Sequence, residues 1–251
     1  FLDYEVKHFY NPGIIFAAYK NTVNNTRDYF FKEGQQMMTQ IWKRDLEKMG
    51  PATPSQDIAR ERERLYADYR YPIYVDMPGS KYHNKVIGVK EGMEHAHKLV
   101  SIDSTGKERT IRAFNYSHSP LVLSPKGMIY WTETIYSSGD ALRDYSVVVS
   151  MDLSDGSVSI INHKTRFFNP AVSGDGEVIA VAEYPVEGSS NLILLSAKHQ
   201  FISKSYKAPS NGQIKEIAFV GSDIYCSAIV GDGLGLYKLD SSDGSWENVI
   251  P

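Results

Sequence analysis

The chain is poor in cysteine: Cys226 stands alone among 251 residues, so no intramolecular disulfide can staple the fold and a packed apolar core must hold it. Cys226 itself lies in the apolar run Ile224-Tyr-Cys-Ser-Ala228, where a small buried hydrophobe is expected. Runs long enough to cross a bilayer as a helix are missing, which excludes a helical membrane span. An excess of one charge is missing as well. The formal net charge is −3 with no basic stripe, so the electrostatic footprint of a nucleic-acid binder is absent. Two catalytic signatures are lacking: no His-Glu-x-x-His that would converge two zinc ligands and a general base, and no Gly-x-Ser-x-Gly nucleophile turn. No cofactor is expected from any motif.

What the sequence does have is a repeat. Asn169-Pro-Ala-Val-Ser-Gly-Asp-Gly-Glu-Val-Ile-Ala-Val-Ala-Glu183 places two apolar runs around a Ser-Gly-Asp-Gly turn, the form of a hairpin whose loop needs residues tolerant of positive φ. Asn191-Leu-Ile-Leu-Leu195 and Phe201-Ile-Ser-Lys-Ser-Tyr206 supply a second hairpin through Ser196-Ala-Lys-His-Gln200. The first hairpin recurs at Leu121–Glu133 and Lys215–Ile229, the second at Tyr145–Ile161 and Gly235–Trp246. The turn residues Asp103, Asp152, Ser196 and Asp240 are spaced by 49, 44 and 44 residues. A four-strand unit repeating with a period in the forties cannot bury both its faces alone, and it reads as propeller blades. The predicted fold class is mainly β: about four visible four-stranded blades over residues 71–251, part of a six-bladed ring, preceded by a small helical segment over 1–70.

The Ser-Pro-Lys-Gly and Ser-Gly-Asp-Gly turns, each followed by a strand and then by a strand ending in aspartate, resemble TolB-type propeller repeats over roughly residues 82–250. The resemblance implies architecture and says little about activity, because such blades serve scaffolds and hydrolases alike. It implies a module of the bacterial cell envelope, periplasmic or secreted, that meets a protein, peptide or glycan partner. Six blades being usual for the type, the chain is expected to continue by about two more.

Residues 1–70 follow a different pattern. Asn11-Pro-Gly opens a short helix with Asn11 as N-cap and Pro12 at its first position. A longer helix is predicted from Thr26 to Met49, with Phe31, Met38, Trp42, Leu46 and Met49 on one stripe and Gly50-Pro51 ending it. Ser55 caps a third helix, in which Ile58, Leu65 and Tyr69 share a face and Arg60-Glu-Arg-Glu-Arg64 forms a solvated charge run. This order of aromatic helix, polar linker and helix before TolB-type blades is similar to the tail of gluzincin-type metallopeptidase-like domains. That resemblance implies a catalytic domain upstream and puts no catalytic residue here. Phe1 in place of methionine is in keeping with the expectation that the chain is a piece.

Loops joining second and third strands are where propellers usually meet ligands. Asp140–Asp144, Tyr184–Ser190 and Gly231–Gly235 occupy that place, and Tyr136, Arg143, Asp144, Tyr184 and Glu187 are the binding candidates they offer. Gly231-Asp-Gly-Leu-Gly235 joins two strands and opens no helix, which excludes a phosphate loop. No metal site is predicted. In Glu94-His-Ala-His97, His95 and His97 would share one side of a strand as two ligands without a third, and the stretch reads as an exposed hairpin tip between Val89 and Leu99. The Asp-Gly turns at Asp152–Gly156 and Asp240–Gly244 lack the alternating ligands of a calcium loop and read as turn chemistry.

Overall fold

The computed structural model describes residues 29–51, 53–54, 58, 66–93, 95–117, 119–136, 144–161, 165–231 and 233–250. The chain divides into two compact units, Phe1–Gln56 and Asp57–Pro251. The predicted short helix after Asn11 lies outside the described residues, as does the charge run at Arg60–Arg64.

In the first unit, a π-helical turn over Tyr29–Gly34 leads into helix α1, Gln35–Met49. Gly50 takes a φ of 77°, which a residue without Cβ reaches freely, and Pro51 cannot extend the helix, so the predicted stop holds. The apolar stripe continues along α1, but none of its residues within the helix is buried: Met38, Trp42, Leu46 and Met49 are each more than half exposed.

Among its described residues the second unit has sixteen strands in four antiparallel meanders, each a four-stranded sheet with its strands in sequence order. Blade 1 comprises β1 (Ala67–Val75), β2 (Lys85–Gly92), β3 (His95–Ile102) and β4 (Glu108–Ala113). Blade 2 comprises β5 (Val122–Leu123), β6 (Met128–Tyr136), β7 (Asp144–Asp152) and β8 (Val158–Ile161). Blade 3 comprises β9 (Phe167–Val172), β10 (Val178–Glu183), β11 (Asn191–Ser196) and β12 (Ile202–Lys207). Blade 4 comprises β13 (Gln213–Val220), β14 (Asp223–Val230), β15 (Gly233–Leu239) and β16 (Trp246–Asn248). The expected propeller architecture is therefore the observed one.

Two expectations at the start of the propeller need correction. Tyr69, expected to share a face of the third helix with Ile58 and Leu65, belongs to β1 and pairs with Lys90 of β2. The sheet accordingly begins at Ala67, ahead of the boundary expected at residue 71. The cause is a bulge: the register shifts between Arg70 and Ile73, Tyr71 takes a φ of 55°, and Pro72 offers no N–H to the ladder. The two-residue alternation that marks a strand is thereby broken within β1.

Three apolar cores join the blades. Ile87, Val89 and Leu99 of blade 1 pack on Ile129, Trp131, Val147 and Val149 of blade 2. Tyr130, Val148 and Ile161 of blade 2 meet Phe167, Ile179, Val181, Ile193 and Leu195 of blade 3. Ala180, Ala182, Leu192 and Leu194 of blade 3 meet Ile214, Ile224, Cys226 and Leu239 of blade 4. The central strands of blades 2 and 3 bury side chains on both faces, which is why they read as continuous apolar runs. No core among the described residues joins blade 4 to blade 1, so the four blades form an arc rather than a closed ring.

Candidate binding face at the loop end of the blades

In an antiparallel meander the turns alternate ends. The hairpins joining first to second and third to fourth strands share one end of each blade, and the loops joining second to third strands share the other with the connections between blades.

The hairpin end is closed by local chemistry. Oδ1 of Asp103 accepts from the Thr105 amide at 2.9 Å and its hydroxyl at 2.5 Å, Asp152 accepts from Ser154 at 2.7 and 2.6 Å, and Asp240 from Ser242 at 2.8 and 2.6 Å. These are aspartate-initiated turns that use their own carboxylates, as the repeat predicted. The Ser173 hydroxyl donates to Asp175 at 2.6 Å, and Gly176 follows at a φ of 71°. A Cβ at Gly176 would stand 2.8 Å from Oγ of Ser124, so the turn of blade 3 rests directly on that of blade 2.

The loop end carries the predicted binding residues. Tyr136 and Asp144 face one another across the end of the β6–β7 ladder, and both are exposed. Glu187 is exposed in the loop between β10 and β11, beside Val186 at 81% exposure. Arg143 lies outside the described residues. Tyr184 is placed at this end too, but as an anchor: its ring packs edge-on against Phe168 at 5.3 Å, and its hydroxyl donates to the Ile214 carbonyl of blade 4. Burial pushes that phenol up from its ordinary value.

His97 has both ring nitrogens engaged, Nε2 with Glu91 and Nδ1 with the Asn115 carbonyl, each at 2.9 Å. Its ring also lies edge-on to Tyr116 at 4.7 Å. Metal ligation would therefore have to break a contact. Met93 at the tip between β2 and β3, which lies at the loop end, is 78% exposed, in keeping with the exposed tip expected there.

Charged groups that sequence reasoning did not single out occupy the same end. Arg112 of β4 grips Glu133 of β6 with two bonds, Nε at 2.8 Å and Nη2 at 3.0 Å, and the Trp131 indole N–H adds a third at 3.0 Å. Its hydrogen bonds to Glu133 raise the Arg112 pKa. Arg70 is paired with Asp68 at 3.0 Å and Glu91 at 2.5 Å. In blade 3 the pattern changes. Arg166 donates Nε to the Tyr184 carbonyl and Nη2 to the Pro185 carbonyl, each at 3.1 Å. Glu183 accepts from the Thr165 hydroxyl at 2.8 Å and the Asn191 amide at 3.0 Å. Both are half-buried, and all their partners are neutral.

A second charged cluster sits on the face of blade 1 turned away from blade 2. Lys90, 1% exposed, reaches Glu108 at 2.9 and 3.1 Å, the Tyr69 hydroxyl donates to Glu108 at 2.6 Å, and Lys98 stands 3.6 Å away. Burial alone would raise the Glu108 pKa, but these neighbours hold the carboxyl below the usual range.

No protein-family model and no curated protein matches the chain. Solved structures do. The TolB protein of Acinetobacter baumannii aligns at 16% identity with a TM-score of 0.51, over 67% of this chain and 41% of that one. A structure from a study of two prolyl endopeptidases aligns at 11% identity with a TM-score of 0.53, over 76% of this chain and 30% of that one. The chain thus spans less than half of either protein, and at such identities the likeness defines a class of fold, the TolB-like β-propeller. Among the described residues no helix is long and apolar enough to cross a membrane.

Proposed function

We propose that the protein is a non-catalytic propeller module of the bacterial cell envelope that binds a protein, peptide or glycan partner through the loop end of its blades. The observation that carries this reading is the difference between the two ends. At the hairpin end the turn carboxylates are consumed by their own turns. At the loop end Tyr136, Asp144, Val186 and Glu187 are exposed on neighbouring blades, a surface of mixed aromatic, apolar and acidic character. The periplasmic placement rests on the resemblance of the repeats to the TolB type.

Photo-crosslinking tests the reading. A benzophenone residue replacing Tyr136 or Glu187 should capture a partner in envelope extracts, and the same residue replacing Ser104 or Ser242 at the hairpin end should not. Capture from the hairpin end alone would overturn it.

A second reading is favoured by the likeness in fold to a prolyl endopeptidase structure. In it the blades position substrate for a hydrolase domain outside this chain. The purified chain should then remain without peptidase activity with or without added zinc, and should stimulate cleavage only when joined to the catalytic domain.

A further inference from the structure

The loop end holds four charge centres, and two of them are matched within the fold. Arg112 is neutralised by Glu133, and Arg70 by Asp68 and Glu91. At blade 3 neither charge is matched: among the described residues no carboxylate lies within ion-pair distance of Arg166 and no cation within that of Glu183. Half-buried charges are ordinarily paired, because neutral partners offset only part of the lost hydration.

The two groups are nonetheless held in place. The carbonyls of Tyr184 and Pro185 take one side of the Arg166 guanidinium, which leaves Nη1 and the second N–H of Nη2 as a fork for an outside acceptor. Thr165 and Asn191 each donate to one oxygen of Glu183, fixing the carboxylate and leaving lone pairs on both oxygens. The two sites are close in the fold, since Arg166 directly precedes Phe167, which pairs with Glu183, and the Tyr184 amide donates to the Arg166 carbonyl at 2.8 Å. A cation and an anion, each oriented by neutral groups and each lacking its counter-charge, form the complement of a ligand that carries both signs.

From this juxtaposition we infer that the blade 3 rim is a subsite for a peptide that presents a carboxylate to Arg166 and a cationic side chain to Glu183. The inference rests on the binding-module reading above and commits it to peptide over glycan, because an uncharged glycan would leave both charges unpaired. The guanidinium fork suits a carboxylate in particular, which can accept two parallel hydrogen bonds. Exposed Asp144 and Glu187 on the flanks add negative charge that favours the cationic side chain.

Calorimetric titration with synthetic acetylated peptides tests this. The set carries one lysine at varied spacing from a free terminal carboxylate, together with the same peptides as C-terminal amides and as acetyl-lysine forms. On the wild-type protein the best free acid should bind about tenfold more tightly than its amide and about tenfold more tightly than its acetyl-lysine form. Arg166→Gln should remove the first difference and keep the second, and Glu183→Gln should do the reverse. Arg166→Lys, which keeps the charge and loses the fork, should retain part of the first difference, and an unchanged thermal midpoint in each variant shows that the fold survives. Equal binding of acid, amide and acetyl-lysine forms would overturn the subsite and leave the binding module standing. Saturable binding of an uncharged glycan, with no peptide binding, would overturn the subsite and replace peptide by glycan as the partner. No binding of any probe, together with no crosslinking from Tyr136 or Glu187, would remove both.

Discussion

Arg112 and Arg166 stand at the same end of the propeller, and the difference between them is visible only in three dimensions. Arg112 closes on a carboxylate that is 7% exposed and accepts otherwise from Trp131 alone. Arg112→Ala should therefore destabilise the fold by about 3 kcal/mol, mostly the penalty of leaving Glu133 buried without a cation. Denaturant unfolding of Arg112→Ala, Glu133→Gln and the double variant checks this, since the second change should recover part of the loss. The hairpin-end aspartates make a separate prediction. The Thr105 hydroxyl lowers the pKa of Asp103, the Ser157 amide that of Asp155, the Ser173 hydroxyl that of Asp175 and the Ser242 hydroxyl that of Asp240. A carboxyl lowered in the folded state contributes stability that is fully present above its unfolded pKa of about 3.9, and loses it as pH falls through the folded value. Stability measured from pH 6 downward should fall most steeply below about pH 4, and Asp240→Asn should flatten that fall while leaving the neutral-pH folding rate unchanged. At this scale the sequence told half the story. Loop position located Tyr136, Asp144 and Glu187, because loops are legible as polar breaks between apolar runs. It could not show that Tyr184 turns inward to Ile214, nor that Arg166, one residue before a strand, meets no counter-ion among the described residues, since both depend on partners from other strands.

At the scale of elements, legibility follows how cleanly a strand shows its period. Strands β6, β7, β10 and β11 are buried on both faces, and their apolar runs between Gly-containing turns reveal them at once. Only the start of strand β1, through Tyr69, reads as helix in the sequence, because Tyr71 and Pro72 break the strand's alternation with a bulge that moves Arg70 and Ile73 out of phase. Helix α1 was legible in period and in its Gly50 stop, and its stripe shows that a helical period identifies an amphipathic face without showing what covers it. The core assignments follow the same logic. Val172, Ile179, Val181, Leu192 and Leu194, all drawn from the apolar runs of the repeat, lie in or against the cores on the two sides of blade 3. Leu192 is fully buried against blade 4, so Leu192→Ala should cost about 2–5 kcal/mol, read as a lower denaturant midpoint. An unchanged midpoint would show that blade 4 does not depend on this contact.

For the whole molecule, the arc predicts that stability is distributed unevenly. A blade sandwiched between two others gains two apolar interfaces, whereas blade 4 has a core on one face only. Its own strands record this: β14 alternates, with Ile224, Cys226 and Ala228 buried towards blade 3 and Tyr225 and Ser227 half-exposed, and Lys238 pairs with Asp223 at 2.7 Å on the open side. In a repeat array, where each unit is held by its neighbours, the unit with one interface should open before those with two. Cys226 reports that opening without any engineering. It is the single cysteine, it is 1% exposed, and burial pushes its thiol pKa up to about 12, so a thiol reagent can reach a reactive thiolate only when blade 4 separates from blade 3. Labelling of Cys226 in low denaturant should proceed through an opening of smaller free energy than the exchange of backbone amides in β6 and β7. Leu192→Ala, which weakens the blade 3–blade 4 core, should speed labelling about 30-fold or more while changing β6 exchange far less. If labelling and β6 exchange instead report one common opening energy in both proteins, the four blades unfold as a single unit and the one-sided packing of blade 4 carries no local consequence.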